Sequence, residues 1–147
     1  MSRRDADKLQ AEIEQLFADL WQVPRFAGPR QGFRPNVDCY HTDDPHTLTV
    51  VVELPGIEPD SVRIVASERL LVIAGDRRRP RAPGRVYQVM EIEYGSFQRQ
   101  IPLAEDIDPE RATARFEHGV LTVELPVAKR TVAGRVTIEV VRGPEWQ

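Results

Sequence analysis

Hydrophobic and polar positions divide the chain into stretches with different periods. Leu9, Ile13, Leu16, Phe17, Leu20 and Trp21 recur at spacings of four, three, one, three and one, which places them on one stripe of a helix. Glu12, Glu14, Gln15 and Asp19 fill the opposite face, and Pro24 and Gly28 stop the helix soon after. From Pro24 to Pro35 the pattern is loop-like, yet it keeps two aromatics, Phe26 and Phe33.

Beyond Pro35 the period falls to two. In Thr47 to Leu54, the side chains of Leu48, Val50, Val52 and Leu54 point one way, and Thr47, Thr49, Val51 and Glu53 the other, so this segment is a strand with one strongly apolar face. Pro55-Gly56 ends it in a turn. Further strands are predicted at Val62 to Ser67, Leu70 to Gly75, Arg85 to Glu91, Ser96 to Leu103, Thr113 to Glu117 and Val120 to Leu125. Gly119 supplies the positive backbone dihedral of the last tight turn. The expected fold is all-β: an immunoglobulin-like β-sandwich of about 90 residues, preceded by a short amphipathic helix and followed by an extended tail. Pro126 to Arg135 reads as an exposed linker, and Val136, Ile138 and Val140 form an alternating segment beyond it. The expected divisions are an arm at 1–34, the sandwich at 35–126 and a C-terminal extension at 127–147.

At 147 residues the chain can bury roughly two thirds of its unfolded surface in one core. Apolar residues make up 41% and charged residues 29%, which excludes a disordered chain. No apolar run reaches the length of a spanning helix, and the charged start does not resemble a signal peptide, so a soluble cytoplasmic protein is expected. The single cysteine, Cys39, rules out an internal disulfide or a thiolate zinc site. The net charge of −3 hides a loop, Asp76 to Arg85, with five arginines against one aspartate, set in an acidic body. A dedicated nucleic-acid binder presents a basic face, so a solvated loop, or one steered towards a neighbour's acidic surface, is the better account of these arginines.

Candidate chemistries are few. His41 and His46 lie near Asp38, Asp43 and Asp44, but Pro45 marks a turn between the histidines, and metal binding is not expected. Glycine-rich phosphate loops are missing from the sequence, Ser61, Ser67 and Ser96 have no histidine near them in sequence, and Cys39 has no local motif. Neither an enzyme nor a cofactor is expected. What does need explaining is the apolar surface of the helix and tail, which is covered either by the chain itself or by other chains. Two apolar side chains at i and i+2 on an extended tail share one face, the geometry of strand addition or groove insertion.

Five runs in order resemble the small heat-shock proteins, the family with an α-crystallin domain, and in particular its bacterial and plant members. They are Pro35-Asn36-Val37-Asp38, Val51-Val52-Glu53-Leu54-Pro55-Gly56, Leu70-Leu71-Val72-Ile73-Ala74-Gly75, Glu91 to Arg99 and Phe116 to Val123. Ile138-Glu139-Val140 follows at a linker's distance and is similar to the family's I-x-I/V tail motif. The resemblance implies a sandwich that dimerises by exchanging a strand on the loop after Ala74-Gly75, which places Val86, Tyr87 and Val89 in the dimer contact. It implies that Ile138 and Val140 dock in a groove of a neighbouring protomer, and that Arg99 joins carboxylates at a subunit contact. Ile92 stands where the family has a basic residue, and Leu103-Ala104 where it has Leu-Pro, departures that touch interface detail and a turn.

The implied activity is that of an ATP-independent holdase, which keeps partly unfolded client proteins from aggregating. Covering 100 Å² of exposed apolar client surface contributes on the order of 2.5 kcal/mol. Leu9, Ile13, Leu16, Phe17, Leu20, Trp21, Phe26 and Phe33 are the candidate client-binding residues, since aromatics on an adaptable arm offer large area without demanding a client motif. The rival is a CS-domain-like co-chaperone adaptor acting as a monomer or dimer, which needs neither the tail motif, nor the long loop, nor the apolar arm. A stable membrane association is disfavoured because the helix's polar face is acidic and mixed rather than lysine-rich.

Overall fold

The computed structural model describes residues 32–129 and 134–143. The predicted helix around Leu9 to Trp21 lies outside them. The described chain is a sandwich of two sheets built from β1 (Val37–Thr42), β2 (Thr47–Glu53), β3 (Arg63–Ser67), β4 (Leu70–Arg77), β5 (Gly95–Pro102), β6 (Thr113–Glu117), β7 (Val120–Pro126), β8 (Arg135–Ile138) and β9 (Val140–Arg142). One sheet has the order β1-β2-β7-β6-β9, the other β5-β4-β3-β8.

Alternation decides which side chains lie between the sheets. Leu48, Val50 and Val52 of β2 and Leu54 just after it are buried, as the period of two predicts. They meet Leu121, Val123 and Leu125 from β7, Ile64 and Ala66 from β3, Leu71 and Ile73 from β4, and Phe97 and Ile101 from β5. Val65 and Val72 point the other way and form a small apolar cluster with Leu70 and Ala74. Gly75 is needed beneath Phe97, because a Cβ there would stand 2.7 Å from the phenyl ring. At the β6–β7 turn, His118 and Gly119 both have positive φ, the requirement of a two-residue type I′ hairpin.

Single 3-10 turns at Pro59–Ser61 and Pro109–Arg111, each opening on a buried proline, feed the chain into β3 and β6. These are the two strands on which the tail lies. Ile138 pairs in register with Ile64 across the antiparallel β3–β8 contact, and Val140 pairs with Ala114 across the parallel β6–β9 contact. Glu139 marks the point where the tail crosses from one sheet to the other.

Three elements differ from the sequence pattern, the first being β1, a strand at Val37–Thr42 that was not among those predicted. Residues 85–91 form no strand, although Val86, Tyr87 and Val89 favour one, because a strand also needs a backbone edge to pair with and among the described residues no edge takes them. The exposed linker begins later than Pro126: Val127 donates to the His46 carbonyl and Ala128 to the Asp106 carbonyl, so Pro126 to Ala128 remain part of the sandwich.

Candidate functional site

The sandwich has an open flank, formed by β1 and β5, and the loop 78–94 connects β4 to β5. Tyr40 and every other residue of β1 beyond Val37 are exposed, and among the described residues no strand pairs with the outer edge of β1. Val86 is 90% exposed and Val89 69%, with Tyr87, Met90 and Ile92 also exposed. So much exposed apolar surface on one loop, in a sandwich that also has an unpaired edge among its described residues, is a liability for a lone chain and an opportunity for a second one. The structure thus brings Val86, Tyr87 and Val89 together on one exposed segment.

The root of the loop is held by an arginine that sequence reasoning counted only as one of the loop's charges. Arg77, the last residue of β4, is buried; it donates to the Pro55 carbonyl at 3.0 Å through Nη1 and to the Glu93 carbonyl through both Nε and Nη2. Its guanidinium lies 3.6 Å from the centre of the Phe33 ring, and that ring packs edge-to-face on Phe97 at 5.8 Å. One side chain therefore ties together the turn after β2, the end of the loop and the segment leading out of the arm. Nothing in the sequence separates Arg77 from its neighbours Arg78 and Arg79; only its place at the last residue of β4 does.

Arg78, Arg79 and Arg85 engage the loop or the end of β4. Arg79 donates to the Ile92 carbonyl and stacks over Tyr94, and Arg78 pairs with Asp76. Hydrogen bonds from Arg85 and Arg79 and their positive charges hold the Tyr87 phenol below its ordinary pKa.

Arg99 shares a strand face with Phe97 and Ile101, so it points between the sheets at the open flank. There it donates to the Pro35 carbonyl at 2.8 Å, an acceptor within its own chain rather than a carboxylate. Burial, then the charge of Arg34, lowers its pKa. Of the eight residues expected to meet clients, only Phe33 lies among those described, and its ring is committed to the flank through Arg77 and Phe97. His41 and His46 have ring centres 5.7 Å apart, and His46 Nε2 sits 2.9 Å from a Glu105 carboxylate oxygen. Among the described residues no group of three or more histidine, cysteine or acidic side chains could hold a metal ion.

The opposite flank is closed by the tail. Ile138 is only 5% exposed and belongs to the main core, with Val140 packed against it. The structure seats both on the chain's own β3 and β6, where the expected seat was a groove of a neighbour.

The described residues thus form a two-sheet sandwich with one flank open, an exposed apolar loop between β4 and β5, and a tail bridging the other flank. A model of the Hsp20/alpha crystallin family matches residues 40–140. The chain is 27% identical over 140 residues to small heat shock protein C2 of Rickettsia felis, covering 95% of this chain and 88% of that one. It is 31% identical over 124 residues to heat shock protein 16 of Schizosaccharomyces pombe, covering 81% and 85%. Among solved structures, heat shock protein 16.0 from Schizosaccharomyces pombe superposes with a TM-score of 0.60 at 31% identity, over 69% of this chain and 97% of that one. The hspA structure from Xanthomonas axonopodis does so with 0.57 at 27%, over 65% and 94%. The chain belongs to the Hsp20/alpha crystallin family, and is a stress-response chaperone of the small heat-shock class. No helix among the described residues is long and apolar enough to cross a membrane.

Proposed function

We propose that the protein is an ATP-independent holdase that works as a dimer-based oligomer. The observations that support this are the exposed run Val86, Tyr87, Val89 and an outer edge of β1 that pairs with no strand among the described residues: in a dimer, this segment would become a strand on the partner's β1, which removes both liabilities at once. The seat of Ile138 and Val140 between β3 and β6 supports the tail as the second link, with a neighbour's tail taking the same seat in the oligomer. The arm residues Leu9, Ile13, Leu16, Phe17, Leu20, Trp21 and Phe26 would cover the apolar surface of clients, and the sequence has no glycine-rich phosphate loop with which to use ATP.

The test combines mass and protection. Light scattering on a sizing column should give a large multiple of the 16.7 kDa chain, falling towards the dimer in Ile138→Ala with Val140→Ala. In nucleotide-free buffer the intact protein should suppress the thermal aggregation of a labile client. A monomer that suppresses nothing would favour the adaptor instead.

A further inference from the structure

At the end of the closed flank lies a cavity of about 210 Å³ that neither the tail motif nor the dimer edge uses. Ile57, Pro59 and Phe116 supply its apolar walls, and Glu58, Glu117 and Arg142 its polar ones. The tail runs directly into it. Gly143 is itself part of the wall, held there by its N–H, which donates to the Phe116 carbonyl at 2.7 Å. The approach is so close that a Cβ on Gly143 would fall 2.6 Å from the Glu117 Cβ, and only glycine fits. Arg142 reaches the Glu58 carboxylate at 3.5 Å, strapping the tail to the far side of the cavity.

The residues that follow Gly143 in the sequence are Pro144, Glu145, Trp146 and Gln147. They therefore leave from the wall of the cavity, and Trp146, three residues on, has a reach of about 10 Å. A cavity of about 150 Å³ holds a benzene ring, so this one has room for an indole. An indole also matches its mixed lining, having apolar faces for Phe116, Ile57 and Pro59 and one N–H donor for a carboxylate at the rim.

We propose that Trp146 plugs this cavity and forms an anchor for the tail beyond Ile138 and Val140. β9 is three residues long and pairs in parallel on one side only, so by itself it grips weakly. With the indole in place, the tail is fixed on both sides of that short strand.

Tryptophan emission tests this in the full-length chain. The sequence has two tryptophans, Trp21 and Trp146, so Trp21→Phe leaves Trp146 as sole reporter. Its emission should be blue-shifted from that of N-acetyl-tryptophanamide, and its acrylamide quenching several-fold weaker. Adding Gly143→Ala, which lifts the tail from Glu117, should return both to solvent values, with the sandwich still melting cooperatively. Solvent-like emission and full quenching in the Trp21→Phe chain would overturn the proposal. Shielding that Gly143→Ala leaves unchanged would overturn it as well, because the indole would then be covered by another surface, such as a second copy.

Discussion

The two flanks of the sandwich are finished in opposite ways. On one, β8 covers β3 and β9 covers β6, and Ile138 adds its side chain to the main core. On the other, β1 and β5 end their sheets with no further strand among the described residues, while the apolar segment 85–92 stands in solvent. Both flanks present the same chemistry, a row of backbone donors and acceptors beside apolar side chains. They differ in the covering segment. The closed flank is covered by a tether from the same chain, whereas the open flank has a segment of the right composition that its own edges do not accept. In the proposed dimer-based oligomer, the unsatisfied flank is where a second chain would pair, and the self-satisfied one is where a neighbour's tail would compete for the seat.

The sharpest way to break this contrast is to charge the open flank. Val86→Asp with Val89→Asp places two carboxylates on side chains that are solvated in the single chain. The sandwich itself should change by no more than about 0.5 kcal/mol, as surface substitutions do. Association should collapse: the solution mass should fall to that of one chain, while the same double substitution leaves β8 and β9 seated. A mass that stays unchanged would mean that residues 85–91 are not the dimer strand.

A smaller effect is expected at the root of the loop. Arg77→Ala removes the donors for the Pro55 and Glu93 carbonyls and the stacking partner of Phe33. Losing these charge-assisted bonds of a buried guanidinium should cost about 1.5–3 kcal/mol, the freed carbonyls of exposed Pro55 and Glu93 being open to water. Urea melts should show the loss, and limited proteolysis should cut 78–94 sooner. Arg77→Lys should recover only part of it, because a single ammonium cannot span two carbonyls as a planar fork does. If Arg77→Ala melts like the parent, Arg77 does not hold the loop.

How far the sequence foretold these flanks follows from what a pattern can encode. The period of two located β2, β3, β4, β6 and β7 to within two residues at either end, because burial between two sheets leaves its mark on alternate side chains. It also marked Val136, Ile138 and Val140 as one apolar face. Where that face lands depends on the edges of β3 and β6, which are set by topology and are not local. Residues 85–91 show the converse, a strand pattern without a strand in the single chain. β1 was the weakest signal among the strands, because its exposed residues Asp38 to Thr42 carry no buried stripe and it is held by backbone pairing to β2. Arg77 and Arg99 are legible as arginines, but the carbonyls they bind, Pro55, Glu93 and Pro35, lie far away in sequence or at the end of a loop.

The smallest expected effect sharpens the contrast from within β1. Cys39 faces Val50 across the β1–β2 ladder, on the side of the strand that borders the core. Although the residue is exposed overall, partial burial pushes its thiol above the ordinary cysteine pKa. A raised pKa means less thiolate at neutral pH, so alkylation by iodoacetamide should be slower than for a free thiol and should accelerate as pH rises through the alkaline range. If the open flank takes up a partner's strand, that strand adds a second barrier. Alkylation should then be slower in the assembled protein than in Val86→Asp with Val89→Asp at the same pH, with the pH dependence keeping its direction. Equal rates in the two proteins would mean that the edge of β1 stays uncovered in the assembly, and the partner strand would have to lie elsewhere.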